Sequence, residues 1–154
     1  VNGHSVRMYV SWKGAYTVSA AVQDHLADEQ AYMAQFEDPF KAFAERCENL
    51  RLSTRDFIFK QLASGKAIAA MGASSMGLTS EDIAYAGEVS PEKFGRKTVA
   101  TNIPIIPESE AIQRNPDFFL LLPWHFKEGL MEKHAQYLAN GGHFIVPCPK
   151  LEIV

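Results

Sequence analysis

Long apolar runs, clustered cysteines and an excess of either charge are all missing from this 154-residue chain. No stretch approaches the ~20 consecutive apolar residues that span a bilayer. A membrane partner is therefore not expected, and no secretory leader is recognisable. There are two cysteines, Cys47 and Cys148. Neither belongs to a CxxC pair or a Cys/His cluster, which removes the ligand spacing of a structural zinc site. Reduced thiols in a cytoplasmic protein are the expectation, with a disulfide left open. The formal net charge is only -3, which excludes the broad basic face used to grip nucleic acid. An anionic small molecule stays compatible, because backbone amides bind anions without net charge. A GxGxxG loop and a P-loop lysine are also absent, as are internal repeats and low-complexity linkers.

What is present is the mixture of a folded domain, 47% hydrophobic and 21% charged. A disordered chain would be less hydrophobic and more highly charged. The chain opens at Val1 without Met, directly into Ser5–Trp12, where polar and apolar residues alternate. That period predicts a half-buried strand. A lone strand needs a sheet to join, so something upstream is expected to be missing.

From Ser19 to Phe36 the pattern turns helical, and Asp38-Pro39 breaks it. A longer helix is predicted over Pro39–Ser64. Phe40, Phe43, Cys47, Leu50, Phe57, Ile58 and Leu62 form its apolar stripe. Gly65 suits a left-handed stop.

Beyond Gly65 the strands begin. Lys66–Met71 is a short apolar run leading into the small-residue loop Gly72–Gly77. A second strand is predicted over Asp82–Gly87, ending at Glu88. Ser90–Gly95 is turn chemistry. Ile103-Pro104-Ile105 is extended but belongs at an edge, and Pro107–Ile112 is a short helix. Asp117–Leu122 is apolar on both faces, as in sheets covered by helices on both sides. A helix over His125–Ala139, stopped by Asn140-Gly141-Gly142, precedes a strand at His143–Pro147. Leu151–Val154 is either one more strand or the start of something truncated.

This alternation predicts a parallel sheet with crossover helices. One link is short: Met71 and Asp82 leave ten residues for a parallel crossover that normally holds a helix. Either these strands are not parallel neighbours, or a segment near Gly77–Ser80 is absent. The second reading is favoured.

Five stretches together resemble the C-terminal domains of sugar C-methyltransferases. Gly65-Lys66-Ala67-Ile68-Ala69-Ala70-Met71-Gly72-Ala73-Ser74-Ser75-Met76-Gly77 is similar to GK-x-I-x-x-YGAS-x-KG. Glu88–Gly95 resembles D-x-NP-x-K-x-G, and Ile103–Ile105 matches IPI. Pro116–Trp124 is similar to PDYVLVLPW, and Gly141–Pro147 to GGKFIVPIP. Upstream, Gly3–Tyr9 resembles the GGSLR-x-Y strand that ends the family's catalytic domain. The likeness covers nearly the whole chain, and its combination is specific where no single piece is. Met71 stands for Tyr, Met76 for Lys, Glu88 for Asp and His125 for Asn, while His4 replaces a Gly.

The resemblance implies an α/β fold, a Rossmann-like parallel sheet with flanking helices, preceded by a strand and helical segment from the end of the catalytic domain. Residues 1–18 would be the terminal strand of an otherwise absent S-adenosylmethionine domain, 19–64 a helical connector, and 65–154 the C-terminal domain. S-adenosylmethionine would be bound by the absent domain, and no cofactor or metal is expected on this chain. The partners implied are a nucleotide-linked keto-sugar and upstream methyltransferase and zinc-binding domains, with homo-oligomerisation left open. No catalytic residue lies here, since the cofactor glycines and the proton-abstracting residues of the family belong upstream.

Candidate substrate-binding residues are Gly72, Ala73, Ser74, Ser75, Gly77, Glu88, Trp124, His125 and His4. The Gly72–Gly77 loop either offers amides and hydroxyls to an anion or is a tight turn that needs small residues. Glu88 stands where dinucleotide folds place the acid for a ribose, or is an ordinary loop charge. Trp124 and His125 follow a strand at its C-terminal end, where open α/β sheets bind ligands. Their alternatives are packing and helix capping. His4 lies near the presumed catalytic-domain edge. His134, on the apolar side of its helix, reads as a core histidine. Two other functions fit the same residues: a stand-alone nucleotide or NAD module using Gly72 and Glu88, and an interaction role for the Pro39–Ser64 helix.

Overall fold

The computed structural model describes residues 6–72 and 77–154. The chain divides into two compact units, Val1–Cys47 and Glu48–Val154.

Within the first unit, α1 is Ala20–Met33, and α2, Pro39–Ala63, begins. Asp38 accepts the amide of Lys41 at 2.9 Å, the local bond that starts α2. No described residue of this unit is buried. The strand predicted over Ser5–Trp12 does not form among its described residues. Val10 and Trp12 are 93% and 90% exposed. The alternation is real, but a strand is stabilised by its neighbours, and none is present.

The second unit contains a six-stranded sheet. Its strands are β1 Ile68–Met71, β2 Ala86–Glu88, β3 Ile105–Pro107, β4 Phe118–Leu121, β5 His143–Val146 and β6 Glu152–Ile153. Their order is β3-β2-β1-β4-β5-β6, parallel throughout except that β6 runs antiparallel to β5. The expected mostly parallel, helix-flanked sheet is therefore the fold. Chain order reverses between β1 and β4, which creates a topological switch point there.

Both faces are covered, as the apolar strands require. On one face Ile58 of α2 packs with Ile68, Ala70, Leu78, Ile83, Phe118 and Leu120. On the other, Ala111 of α3 (Glu108–Gln113) and Tyr137 of α5 (Ala135–Ala139) pack with Ala69, Met71, Phe119 and Phe144. Lys66 Nζ and the Ala67 amide both reach the Asp117 carboxylate, at 2.9 and 2.8 Å, and so tie the starts of β1 and β4 together.

β1 and β2 are parallel neighbours, with Ala70 opposite Ala86. That removes the reading in which they are not. The described part of their connection has no helix. Pairing already begins at Ala84, whose amide donates to Ile68 at 3.1 Å. Leu78 and Ile83, each 1% exposed, fill the space beneath, and α2 covers the face a crossover helix would cover.

The helix predicted over His125–Ala139 is broken. A 3-10 turn at Trp124–Phe126 leads into α4, Lys127–Lys133, and the chain leaves helical geometry at His134 (φ -112°, ψ 29°) before α5. The periodicity was a true core signal, but the helix does not continue through His134. Tyr137 is then fixed independently. Its hydroxyl donates toward the Pro116 and His143 carbonyls at 3.0 and 3.1 Å and accepts the His143 amide. Those bonds outrank helix continuity.

Candidate functional site

The C-terminal ends of β1, β2 and β4 form one mouth. Gly72 leaves β1 at φ +77°, and its amide donates to Gly87 at 3.2 Å, which places it beside Glu88 at the end of β2. A Cβ on Gly72 would stand 3.2 Å from Pro123 Cδ, so the backbone of β1 runs against the turn leaving β4. Gly72 and Pro123 thus meet at the switch point, with Glu88 at the adjoining end of β2. Ala73, Ser74, Ser75 and His4 lie outside the described residues.

Trp124 is 38% exposed and its ring meets His125 edge to face at 5.6 Å; His125 in turn lies 4.4 Å from Phe126. These three, with Lys127, Glu128 and Gly129, line an open hollow of about 460 Å³. His125 sits inside the first helical turn rather than capping it. Aromatic faces open to solvent at a strand's C-terminal end suit stacking on a base or sugar.

Glu88 is differently employed. One carboxylate oxygen accepts the amides of Val89 and Ser90 at 2.8 and 3.2 Å, and the other holds Lys93 Nζ at 2.7 Å. The Lys93 ammonium, helped by the two amides, keeps the Glu88 carboxyl below its ordinary range against a burial effect that opposes it. A ribose-binding acid needs free acceptors facing the ligand. Here the acceptors stabilise their own turn. The Gly72–Gly77 loop also lacks the cofactor-binding glycine spacing. Among the described residues of this mouth, Glu88 has its acceptors engaged and offers none free to a cofactor ribose. Among the described residues there is no group of three His, Cys, Asp or Glu able to hold a metal ion. No helix among them is long and apolar enough to cross a membrane.

Two side chains outside the sequence candidates approach Gly77. Arg55 Nη1 donates to the Gly77 carbonyl at 3.0 Å, and its guanidinium lies over Phe59 at 5.2 Å. Arg51, one turn away on α2, is gripped by Glu48 through Nε and Nη2 at 2.8 and 2.5 Å. The available signal was two arginines at i, i+4 flanking an apolar stripe. It could not point to Gly77 without the packing.

His134 is 8% exposed, with Nε2 3.4 Å from a Glu108 oxygen and without a well-formed hydrogen bond among the described residues. Glu108 also pairs with Lys133. Burial outweighs the neighbouring carboxylate and holds the His134 pKa below its ordinary value. It is a core residue.

The sequence model of the family described as C-methyltransferase C-terminal domain matches residues 1–149. The chain belongs to that family. Among curated proteins it is similar to the C-methyltransferase NovU of Streptomyces niveus, at 29% identity over 163 residues. The match takes in 100% of this chain but 39% of that relative, so the chain spans about two fifths of its length. The matched 163 residues exceed the chain's 154, so the relative carries residues without a counterpart here. In this C-methyltransferase C-terminal domain the signature lysine and aspartate, Lys66 and Asp117, pair at the start of the sheet. The Gly72 loop and Pro123-Trp124 lie at its opposite, open end.

Proposed function

We propose that this chain is the substrate-cleft domain of an S-adenosylmethionine-dependent methyltransferase acting on a carbon of a nucleotide-linked keto-sugar, and that it is inactive alone. The observation that carries this reading is the close approach of Gly72 to Pro123, the residue before Trp124, at the switch-point mouth, where open α/β sheets receive ligands. Trp124 and His125 offer a stacking face and a hydrogen-bonding ring to the substrate. Glu88 holds its turn together rather than a cofactor ribose. The methyl donor is held by a domain outside this chain, in the cytoplasm. Val6, Met8, Tyr9, Val10 and Trp12, all more than half exposed, supply an edge strand to that companion domain.

The test replaces the corresponding C-terminal part of NovU with this chain and assays methyl transfer. The chimera is expected to transfer methyl from S-adenosylmethionine to a nucleotide-linked keto-sugar, and the chain alone to transfer none. Micromolar binding of S-adenosylmethionine by the isolated chain, seen by calorimetry, would overturn the division of labour.

A further inference from the structure

We propose that Glu108, Lys133 and His134 form a proton-sensitive clasp, which holds α4, a wall of the Trp124–Gly129 hollow, to the β3 side of the mouth and releases it in acid. That the hollow takes a ligand rests on the cleft reading above; the clasp does not.

The geometry begins at Glu108. It opens α3 directly after Pro107, and Pro107 lies opposite Glu88 where β3 meets β2. Its side chain is mostly buried, and one carboxylate oxygen serves two partners from the α4–α5 junction. Lys133 Nζ pairs with that oxygen, and His134 Nε2 stands 3.4 Å from it. His134 is at once the end of α4 and the start of α5. Its amide donates to the Leu130 carbonyl at 3.0 Å, and its own carbonyl accepts the Tyr137 and Leu138 amides at 3.0 and 3.3 Å. The other end of α4 has a separate tie, Lys127 Nζ to Glu152 at 2.5 Å. Lys127, Glu128 and Gly129 of that end line the hollow. Loss of the Glu108 contact therefore frees one end of a short helix while the other stays anchored, and α4 can pivot against the hollow.

His134 is the member that a proton changes. Its Nε2 is buried without a well-formed hydrogen bond among the described residues, an arrangement held at a cost. Its neighbours are Glu108 from α3, Lys133 from α4, Tyr137 from α5, whose hydroxyl is engaged by Pro116 and His143, and the uncharged Phe144 ring from β5. A proton adds a second cation beside a carboxylate that already holds Lys133, in a space closed to water. Burial outweighs the attraction of Glu108, and Lys133 opposes the new charge as well. The folded imidazole therefore protonates at lower pH than a hydrated one. An opened junction, with His134 in water, binds the proton more readily, so acid shifts the population toward it. From the ordinary histidine value of about 6.5 down to the lower folded one, each unit fall in pH enlarges the opened fraction by up to about tenfold.

The experiment measures amide hydrogen exchange by NMR on the whole chain at pH 7.5 and 5.5, corrected for the intrinsic pH dependence of exchange. The amides of His134, Tyr137 and Leu138 report the junction. Those of Phe119 and Ile145, in β4 and β5, report global unfolding. Junction protection is expected to fall several-fold, up to about tenfold, between the two pH values. It should be insensitive to about 1 M urea, because a local opening exposes little surface, whereas the strand amides respond. His134→Gln should make junction protection equal at both pH values. His134→Leu, which fills the buried site without a titrating group, is a second variant for the same comparison. Glu108→Gln removes the attraction for the charged imidazole and should enlarge the pH ratio; Lys133→Gln removes the repulsion and should shrink it. The Trp124 indole N–H signal, followed in a His125→Gln background so that the adjacent imidazole does not titrate, should move with the junction. An unchanged pH ratio in both His134 variants, or junction amides as sensitive to urea as the strand amides, would overturn the clasp. A Trp124 signal that stays still while the junction opens would overturn the release of α4 at the hollow. If the junction opens in acid while the NovU chimera transfers no methyl, the clasp stands and the cleft reading fails.

Discussion

Lys66 and Asp117 lie far apart in the chain and meet at 2.9 Å, closing the start of the sheet between β1 and β4. The same carboxylate takes the Ala67 amide at 2.8 Å. The Lys66 ammonium and that amide hold the Asp117 pKa below its ordinary value of 3.8. Asp117→Ala should strip both partners at once and cost about 1 kcal/mol, the modest value of a solvent-screened pair plus one amide bond. Because the folded pKa is the lower one, this stabilisation is present above pH 3.8 and is lost as pH falls below it. Urea unfolding of both proteins at neutral pH and near pH 3 should show the gap between them narrowing in acid.

Gly142 is a packing requirement. A Cβ there would stand 2.2 Å from the Tyr137 ring, whose hydroxyl is anchored by Pro116 and His143. The ring has no room to retreat. Gly142→Ala is expected to destabilise the domain by about 1–3 kcal/mol. A melting temperature equal to that of the parent protein would show that α5 can shift to make room.

His134 gives stability a second pH dependence. Glu108, Lys133 and the Phe144 ring are its neighbours. Burial lowers its folded pKa beneath the ordinary 6.5. The unfolded chain therefore takes the proton more readily. Stability attributable to His134 is full above about pH 6.5 and declines as pH falls toward the folded pKa. Chemical denaturation at pH 7.5 and pH 5.5 should show this loss, and His134→Gln should flatten it. An unchanged slope in the variant would place the effect elsewhere.

Glu88→Gln separates a turn-holding role from a ribose-holding one. The charged bond to Lys93 disappears while an amide oxygen still accepts from Val89 and Ser90. A loss of about 1 kcal/mol in stability is expected, with uridine diphosphate affinity unaffected. Unchanged stability with weakened nucleotide binding would reverse the assignment.

Much of this was legible in the residues. The runs at Ile68–Met71 and Phe118–Leu121 are apolar at every position, so they had to lie in a sheet covered twice. Gly72 and Pro123-Trp124 could be placed at strand ends because each follows such a run. Boundaries were less certain: β2 starts at Ala86, four residues later than its sequence pattern, although its pairing to β1 begins at Ala84. The helix ending at Ala139 broke because three hydrogen bonds to Tyr137, made by groups from outside that helix, fix its last turn.

Local periodicity thus determined which segments become strands and helices, and which small or aromatic residues stand at their ends. Tertiary structure decided what those segments meet. It made α2 the cover of β1 and β2, and left the alternating Val6–Trp12 segment without a sheet. It also brought Arg55 to Gly77 across twenty-two positions of chain. The physical reason is that periodicity records only which side of an element turns inward, whereas contact between distant segments depends on how every element packs at once.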